Sequence, residues 1–202
     1  AANVLYSGGT SRVTVDEKLT LNSIRKTVQT LFLNHAKMKT RALKSSPDYE
    51  TFAISAGFCV FCSTDMEPDI RDLPGFTPVE RYGTKSALSE YELGSAERFR
   101  FITSPELTAY ADAGAAIGAT GLYSTTGTNI DVYPVIVMGE EAAYDVALRG
   151  MNSFDVIHIP HTREDKSDVL RQRGYVGAKF YSAVLVANGG WMAVIEAGRT
   201  AL

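Results

Sequence analysis

Two cysteines, Cys59 and Cys62, have the spacing in this sequence that comes nearest to a known chemical motif. Two residues lie between them, as in thiol redox pairs, where a helix N-terminus or a cation stabilises the reactive thiolate. The flanking Phe58 and the intervening Val60 and Phe61 are apolar and favour a β-strand. A zinc site would need two more ligands, and the chain has no third cysteine. We predict a buried strand with two inert thiols, which fits a reducing compartment.

The histidines offer a second candidate chemistry, metal binding. His158 and His161 are close neighbours, whereas His35 lies far away in the sequence. Strand positions three apart point to opposite faces, so a metal shared by the two neighbours is disfavoured. A metal site would also need a carboxylate such as Asp155 or Asp165 to converge on them. We expect ordinary polar histidines and no metal ligand.

An adjacent acidic pair and a serine near a glycine pair are further candidates. Glu140 and Glu141 lie at the start of a predicted helix, where carboxylates compensate the helix dipole; a catalytic acid/base couple needs two different environments. Ser7 is followed by two glycines but lacks the strand-to-helix context of a nucleophile elbow. Neither segment predicts a reaction centre.

Three glycines, Gly114, Gly118 and Gly121, lie in a segment rich in Ala, Thr and Ser. A phosphate cradle would require a preceding strand, a following helix and usually a lysine, and none of these is indicated. The sequence therefore predicts no catalytic, cofactor-binding or metal-binding residue and no cofactor. It predicts a protein that is not an enzyme.

Composition limits the class of protein. The chain has 202 residues, a formal net charge of −3, 45% hydrophobic and 21% charged residues, which is typical of a folded globular unit. The slight acidic excess disfavours a dedicated nucleic-acid binder. No apolar run is long enough to span a membrane, and no secretory signal is visible. The chain starts Ala-Ala without Met, so we expect a processed or excised piece of a longer product.

One amphipathic helix is the clearest local prediction. Leu21, Ile24, Val28 and Leu31 recur at helical spacing, and Thr20 is suited to cap the helix. We predict about 17 helical residues, with the basic side chains on the solvated face or near the C-terminal end.

The other predicted elements are mostly short strands. They are strands at residues 49–54 and 58–62 with a break at 57, a helical turn at 68–73, a half-buried strand at 98–103, a buried strand at 132–138, a helix at 139–148 capped by Gly150, and a strand at 154–159. Residues 1–19, 105–131 and 160–173 are predicted to be irregular, and residues 78–96 weakly helical or loop.

The chain is predicted to end in a β-hairpin, residues 175–187 and 191–197, joined at Asn188-Gly189-Gly190. Both faces of this hairpin are apolar, as in a sheet covered on two sides. Two predicted helices do not suffice to cover it, so we expect the cover to come from a missing part of the polypeptide or from a neighbouring subunit. The alternative is that one of the irregular segments folds over it.

Several segments, taken in order, resemble the major capsid proteins of N-four-type tailed phages, which share the Hong Kong 97-type shell fold. The matching pieces are Leu19-Thr20 with Ile24-Arg25, Arg98 to Ile102 with Ser104-Pro105-Glu106, Asp131 to Pro134 with Val137-Met138-Gly139, Gln172 to Gly177 with Lys179, and Trp191-Met192 with Ile195-Glu196. Val169 and Ala178 depart from the family pattern, and residues 45–92 match poorly. The similarity corresponds to the carboxy-terminal part of such a protein.

The resemblance implies an α+β fold with an incoming segment at residues 1–19. It implies an axial-type domain at residues 20–150, and a connector with a peripheral-domain hairpin at residues 151–202. It further implies a structural subunit of the virion, assembled in the bacterial host cytoplasm. The expected partners are copies of itself in pentamers and hexamers, with decoration or scaffolding proteins as further partners, non-specific contact to the enclosed double-stranded DNA, and no membrane. Two alternatives remain open, an encapsulin-like compartment protein and a small cytoplasmic thiol redox enzyme using Cys59 and Cys62.

Overall fold

The first helix begins where the sequence places it and ends earlier than predicted. A computed structural model of the chain describes residues 3–43, 51–83, 86–118, 120–146, 154–160 and 172–201. Helix α1 spans Leu21–Leu33, and the Thr20 side chain accepts a hydrogen bond of 3.3 Å from the Ser23 N–H. The left-handed residue His35 (φ 57°) ends the helix, because it lets the Ala36 N–H donate back to the Leu31 carbonyl at 2.9 Å. The helix therefore has 13 residues, not about 17.

The second helix is the predicted helical turn. Helix α2 spans Glu67–Arg71, with a proline in its first turn and an ion pair between its first and last residues. It follows directly on a 3-10 turn at Thr64–Met66.

Strands account for most of the regular structure, so the described part of the chain is a mixed, sheet-dominated fold, in coarse agreement with the predicted α+β class. The strands are β1 Val4–Tyr6, β2 Lys39–Leu43, β3 Thr51–Ser63, β4 Thr77–Pro78, β5 Glu92–Ala96, β6 Phe99–Ser104, β7 Tyr133–Met138, β8 Ala143–Asp145, β9 Phe154–Ile159, β10 Tyr175–Phe180, β11 Val184–Val186 and β12 Met192–Ala197. Eight of them form one sheet in the order β1-β12-β7-β3-β6-β5-β4, with β2 paired to β3.

The predicted break at Gly57 is wrong, because β3 runs through it without interruption. A Cβ atom at this position would lie 3.1 Å from the Arg98 carbonyl oxygen and 3.1 Å from Arg100 Cγ. The glycine allows the neighbouring strand to approach closely. Gly57 is therefore explained by close packing within a continuous strand.

The central strands of the sheet bury one face completely and the other partly. Phe58, Phe99 and Phe101 are fully buried, and the rings of the last two lie 6.1 Å apart in an edge-to-face arrangement. The predicted half-buried strand at residues 98–103 is therefore wrong in its exposure, because Arg100, one of its expected solvent-facing residues, is also buried.

Two local predictions fail because tertiary pairing overrides local propensity. Residues 78–96 contain a 3-10 turn at Val79–Arg81 and strand β5. The helix predicted at residues 139–148 is wrong, since β8 occupies part of this range and pairs with β11. The predicted cap Gly150 lies outside the described residues.

The predicted terminal hairpin is also wrong. Strand β12 pairs antiparallel with β7 and parallel with β1, whereas β10 pairs with β9 and β11 pairs with β8. Strand β12 lies between β1 and β7 and contacts α1, and four of its six residues are buried. The expectation of an outside cover therefore does not apply to this strand.

Contacts divide the chain into two compact units. The first contains residues 1–142 and 188–202, and the second contains residues 143–187. The terminal strand β12 thus belongs to the first unit. The second unit contains the two antiparallel strand pairs β8–β11 and β9–β10, and we call it the ribbon.

The segment predicted to be irregular, residues 105–131, contains no helix or named strand within its described residues. It holds its shape through isolated bridges, such as Tyr110 with Val132 and Ala116 with Asn129. Residues 160–173 lie largely outside the described part of the chain.

Candidate functional site

The two thiols lie in the strand predicted for them. Cys59 and Cys62 are both free and occupy β3, three residues apart and hence on opposite faces. Burial raises the pKa of the Cys62 thiol to about 12, and its Sγ donates to the Ile102 carbonyl at 3.5 Å. Burial also raises the pKa of Cys59. The reactive thiolate of a redox pair is therefore disfavoured at both positions.

The histidine and carboxylate candidates are not brought together. His35 ends α1, and His158 lies in β9 opposite Val176 of β10. Asp155 is also in β9, and His161 and Asp165 lie outside the described residues. Among the described residues, no three potential ligands are close enough to hold a metal ion.

The predicted role of the acidic pair at residues 140 and 141 is wrong, because no helix begins there. The Glu140 N–H donates to the Lys37 carbonyl at 2.8 Å. Glu141 adopts a left-handed conformation (φ 63°) and forms an exposed ion pair with Lys37 at 3.4 Å. This pair closes the turn between β7 and β8 against the end of α1.

The serine and glycine candidates have structural positions. Ser7 is buried, with its Oγ 3.5 Å from Ser23 Oγ. The Gly114 N–H donates to the Ile130 carbonyl at 2.9 Å, and Gly118 and Gly121 adopt positive φ values.

Two aspartates organise the long irregular segment. Asp131 accepts hydrogen bonds from the Asp112 N–H at 3.0 Å and from Thr125 Oγ1 at 2.5 Å. Burial alone would raise the pKa of Asp131, but these hydrogen bonds hold it below its usual range. Asp112 accepts from Ser124 and Thr126 in the same way. Both carboxylates are occupied as acceptors within the loop.

A buried ion pair is the main polar feature that the sequence did not reveal. Arg100 Nε lies 2.8 Å from Glu92 Oε1, and both side chains are almost completely buried. The carboxylate also accepts from the Tyr82 hydroxyl at 2.7 Å and from the Leu88 N–H. Arg100 donates onward to the Ser86 carbonyl at 2.8 Å. The pair therefore holds Tyr82, Ser86 and Leu88 against strands β5 and β6.

A second buried carboxylate joins three distant segments. Asp69 of α2 accepts from Lys18 Nζ at 3.0 Å and from the Thr200 hydroxyl and N–H at 2.6 and 2.7 Å. Burial alone would raise the pKa of Asp69, but the hydrogen bonds from Thr200 and Lys18 lower it. This group therefore links α2 to Lys18 and to Thr200.

The ribbon carries most of the exposed large hydrophobic side chains among the described residues, twelve of eighteen. In the β9–β10 register, opposite residues share a face. One face holds the pairs Phe154–Phe180, Val156–Ala178 and His158–Val176, and Val176 is 77% exposed. Exposed apolar patches of this extent mark interaction surfaces.

A second exposed apolar region lies on the first unit, and we call it the α1 groove. It is an open groove of about 720 Å³ beside the C-terminal half of α1. Its lining residues are Arg25, Val28, Gln29, Phe32, Leu33, Glu97 and Arg98. The Leu33 side chain projects freely there, since the residue is 74% exposed.

Comparison with known proteins links the chain to viral shells. It is 23% identical over 211 residues to the major capsid protein of Pseudomonas phage KPP21. The match includes 97% of this chain and 53% of that protein, so the chain spans about half the length of this relative. No known family model matches.

The matched share of the chain is large enough to include both compact units, so the similarity extends to the ribbon and to the unit that carries the α1 groove. In the described ranges, neither α1 nor α2 nor any other helix has the length and apolarity needed to cross a membrane. Sequence reasoning missed the groove because Glu97 and Arg98 reach α1 only through the folding of the sheet.

Proposed function

We propose that this chain is part of a structural subunit of a phage capsid, and that it acts by associating with copies of itself. The observation that carries the proposal is the similarity to a phage major capsid protein along 97% of the chain. It agrees with the resemblance found from the sequence motifs. The subunit is a member of the N-four-like capsid family with the Hong Kong 97-type fold.

The exposed ribbon supports this function on physical grounds. The ribbon consists of two strand pairs, β8–β11 and β9–β10. An isolated pair of β-strands is at best marginally stable in water, and its unpaired edges can pair with further strands. Apolar side chains such as Val176 and Phe180 gain about 25 cal/mol per Å² of area removed from water. Contact with a partner surface would therefore stabilise the ribbon by burying these side chains.

In this proposal the first compact unit is the axial domain, which clusters around the centre of a capsomer. The ribbon belongs to the peripheral domain. Copies assemble into pentamers and hexamers of a closed icosahedral head that encloses double-stranded DNA. Affinity accumulates over many modest contacts, as multivalency allows. The proposed location is the virion, after assembly in the bacterial cytoplasm; decoration or scaffolding proteins are further proposed partners.

Electron microscopy and sedimentation of the complete gene product test this function. We expect capsomers or hollow closed particles, and double-stranded DNA inside the particles formed during infection. Closed particles that hold a protein cargo and no genome would favour an encapsulin-like compartment. A product that stays monomeric under all assembly conditions would contradict the proposal.

A further inference from the structure

Closed rings of identical subunits require two different surfaces on each copy. In a head-to-tail contact, a patch on one subunit meets a different patch on the next, and the contact repeats around the ring. The described residues present two separate exposed regions that could play these parts, the ribbon and the α1 groove. Their chemistry can therefore be compared directly.

The α1 groove combines one apolar projection with an adjacent acid and base. Leu33 is 74% exposed, and Phe32 beside it has the Arg98 guanidinium 4.7 Å above its ring. Glu97 precedes Arg98 in the turn between β5 and β6, and it forms an ion pair with Arg25 at 2.7 Å. An incoming surface thus meets the exposed Leu33 side chain next to one acid and two bases: Glu97 is paired with Arg25, and Arg98 lies over Phe32.

One face of the ribbon has the complementary features, and we call it the Gly177 face. It carries the cross-strand pairs Asp155–Lys179, Ile157–Gly177 and Ile159–Tyr175. Gly177 leaves a dent beside Ile157, because a Cβ atom added there would meet nothing within 4 Å. This face therefore offers an apolar dent next to one acid and one base.

We propose that the Gly177 face of one copy docks in the α1 groove of a second copy. Leu33 fills the dent over Gly177, in contact with Ile157. Asp155 faces Arg98 and Lys179 faces Glu97. This inference rests on the proposed function, for which it names the pair of surfaces in one subunit contact.

The complementarity selects this face over the other face of the same strands. The opposite face carries Phe154, Val156, Val176 and Phe180, with His158 as its only ionisable group among the described residues. It offers no acid–base pair to match Glu97 and Arg98.

The proposed contact is small, which suits assembly into a shell. A few side chains on each copy bury less than the roughly 1,200 Å² that a stable pair of proteins usually needs. One contact alone is therefore weak, and it becomes effective when each copy makes several contacts at once. We expect cooperative assembly above a threshold concentration, without a stable isolated dimer.

Charge swaps test the proposal while keeping the net charge constant. The ribbon swap is Asp155→Lys with Lys179→Asp, and the groove swap is Glu97→Arg with Arg98→Glu. Each swapped protein, made as the complete gene product, should need at least tenfold more protein to assemble, measured by light scattering and sedimentation. Like charges facing each other across an interface cost several kcal/mol.

Mixing the two swapped proteins gives the decisive result. The swapped groove then meets the swapped ribbon, and the native groove meets the native ribbon, so every contact in an alternating ring of six is complementary. A ring of five cannot alternate fully and keeps one mismatched contact. We expect the equimolar mixture to assemble at a clearly lower concentration than either swapped protein alone. Swaps that assemble like the native protein, or swaps that fail alone and in the mixture, would overturn the proposal.

The matched control is the exposed ion pair of α2, which lies in neither surface. Swapping it as Glu67→Arg with Arg71→Glu makes the same rearrangement of charge and should leave assembly unchanged. Circular dichroism and thermal melting of all three swapped proteins check that each is folded.

A steric variant tests the dent independently of charge. Gly177→Val places a side chain in open space, so the ribbon should fold, but the dent is filled. We expect this variant to need at least tenfold more protein to assemble, as the swapped proteins do, and assembly at the native concentration would refute the docking. If the native product and every variant assemble equally well, the docking is wrong but the capsid function stands. If the native product never assembles, the capsid function is wrong as well.

Discussion

Replacing Arg100 by methionine tests the buried ion pair between β5 and β6 of the first unit. The Arg100 and Glu92 side chains are only 4% and 0% exposed, and Arg100 donates to both carboxylate oxygens, at 2.8 and 3.1 Å. The methionine fills much of the vacated volume but leaves the Glu92 carboxylate buried without its cation. An uncompensated buried charge is strongly destabilising.

The expected loss in free energy of unfolding is about 3 kcal/mol. Breaking a buried pair costs about 3–5 kcal/mol, and the lower end applies because the Tyr82 hydroxyl and the Leu88 N–H still donate to Glu92. For a domain of this size, that loss lowers the melting temperature by roughly 6–12 °C.

Two further variants separate the pair from its surroundings. Glu92→Leu combined with Arg100→Met removes both charges and should recover much of the loss, since an apolar pair of similar volume is often neutral. Breaking the exposed pair by Arg71→Met should cost less than about 1 kcal/mol.

Urea unfolding followed by circular dichroism measures all of these variants at pH 7. A loss below about 1 kcal/mol for Arg100→Met would refute the reasoning, because the pair would then behave as a surface pair. The reasoning would also fail if the double variant cost as much as the sum of its two single variants.

Three further predictions concern residues of the same unit. Asp69→Asn should cost about 2 kcal/mol at pH 7 in urea unfolding, since it removes a carboxylate that accepts from Lys18 and Thr200. The lowered pKa of Asp69 means that this stabilisation is present above about pH 4 and is lost as the pH falls through that pKa. The difference between the variant and the native protein should therefore shrink in acid, and a constant difference would contradict the assignment. Cys59 and Cys62 should react with a thiol reagent only after denaturation, as their raised pKa values require, and fast reaction of both thiols in the folded protein would favour the redox alternative. Gly57→Val should destabilise the fold by about 1–3 kcal/mol, because its side chain has to displace the Arg100 side chain and the Arg98 carbonyl oxygen beside it; an unchanged melting temperature would refute this packing role.

Elements with strong local signals were predicted correctly. Helix α1 begins at its Thr20 cap, and β7 and β9 match their apolar runs. These elements depend on interactions within a few residues of the chain, so their spacing suffices to predict them. The end of α1 was missed because His35 is an uncommon residue for a left-handed helix stop.

The candidate surfaces were predicted only in part. The sequence indicated more apolar strand surface than the two predicted helices could cover, and residues 175–180 of the ribbon carry such an exposed surface. The partner strands were wrong, because Asn188-Gly189-Gly190 has the composition of a hairpin turn but lies in a 3-10 turn that leads into the main sheet. Strand pairing depends on which surfaces meet, and the local composition of a turn does not specify that.

The sequence by itself determined that this is a folded α and β chain with a capped amphipathic helix, buried apolar strands and thiols placed in a core strand. Tertiary structure alone decided that Arg100 is buried against Glu92, that β12 lies between β1 and β7, and that residues 143–187 form a separate ribbon. The reason is physical: capping and periodicity act over a few residues, whereas pairing partners, burial of charge and exposed faces depend on segments that are distant in sequence and meet only when the chain folds.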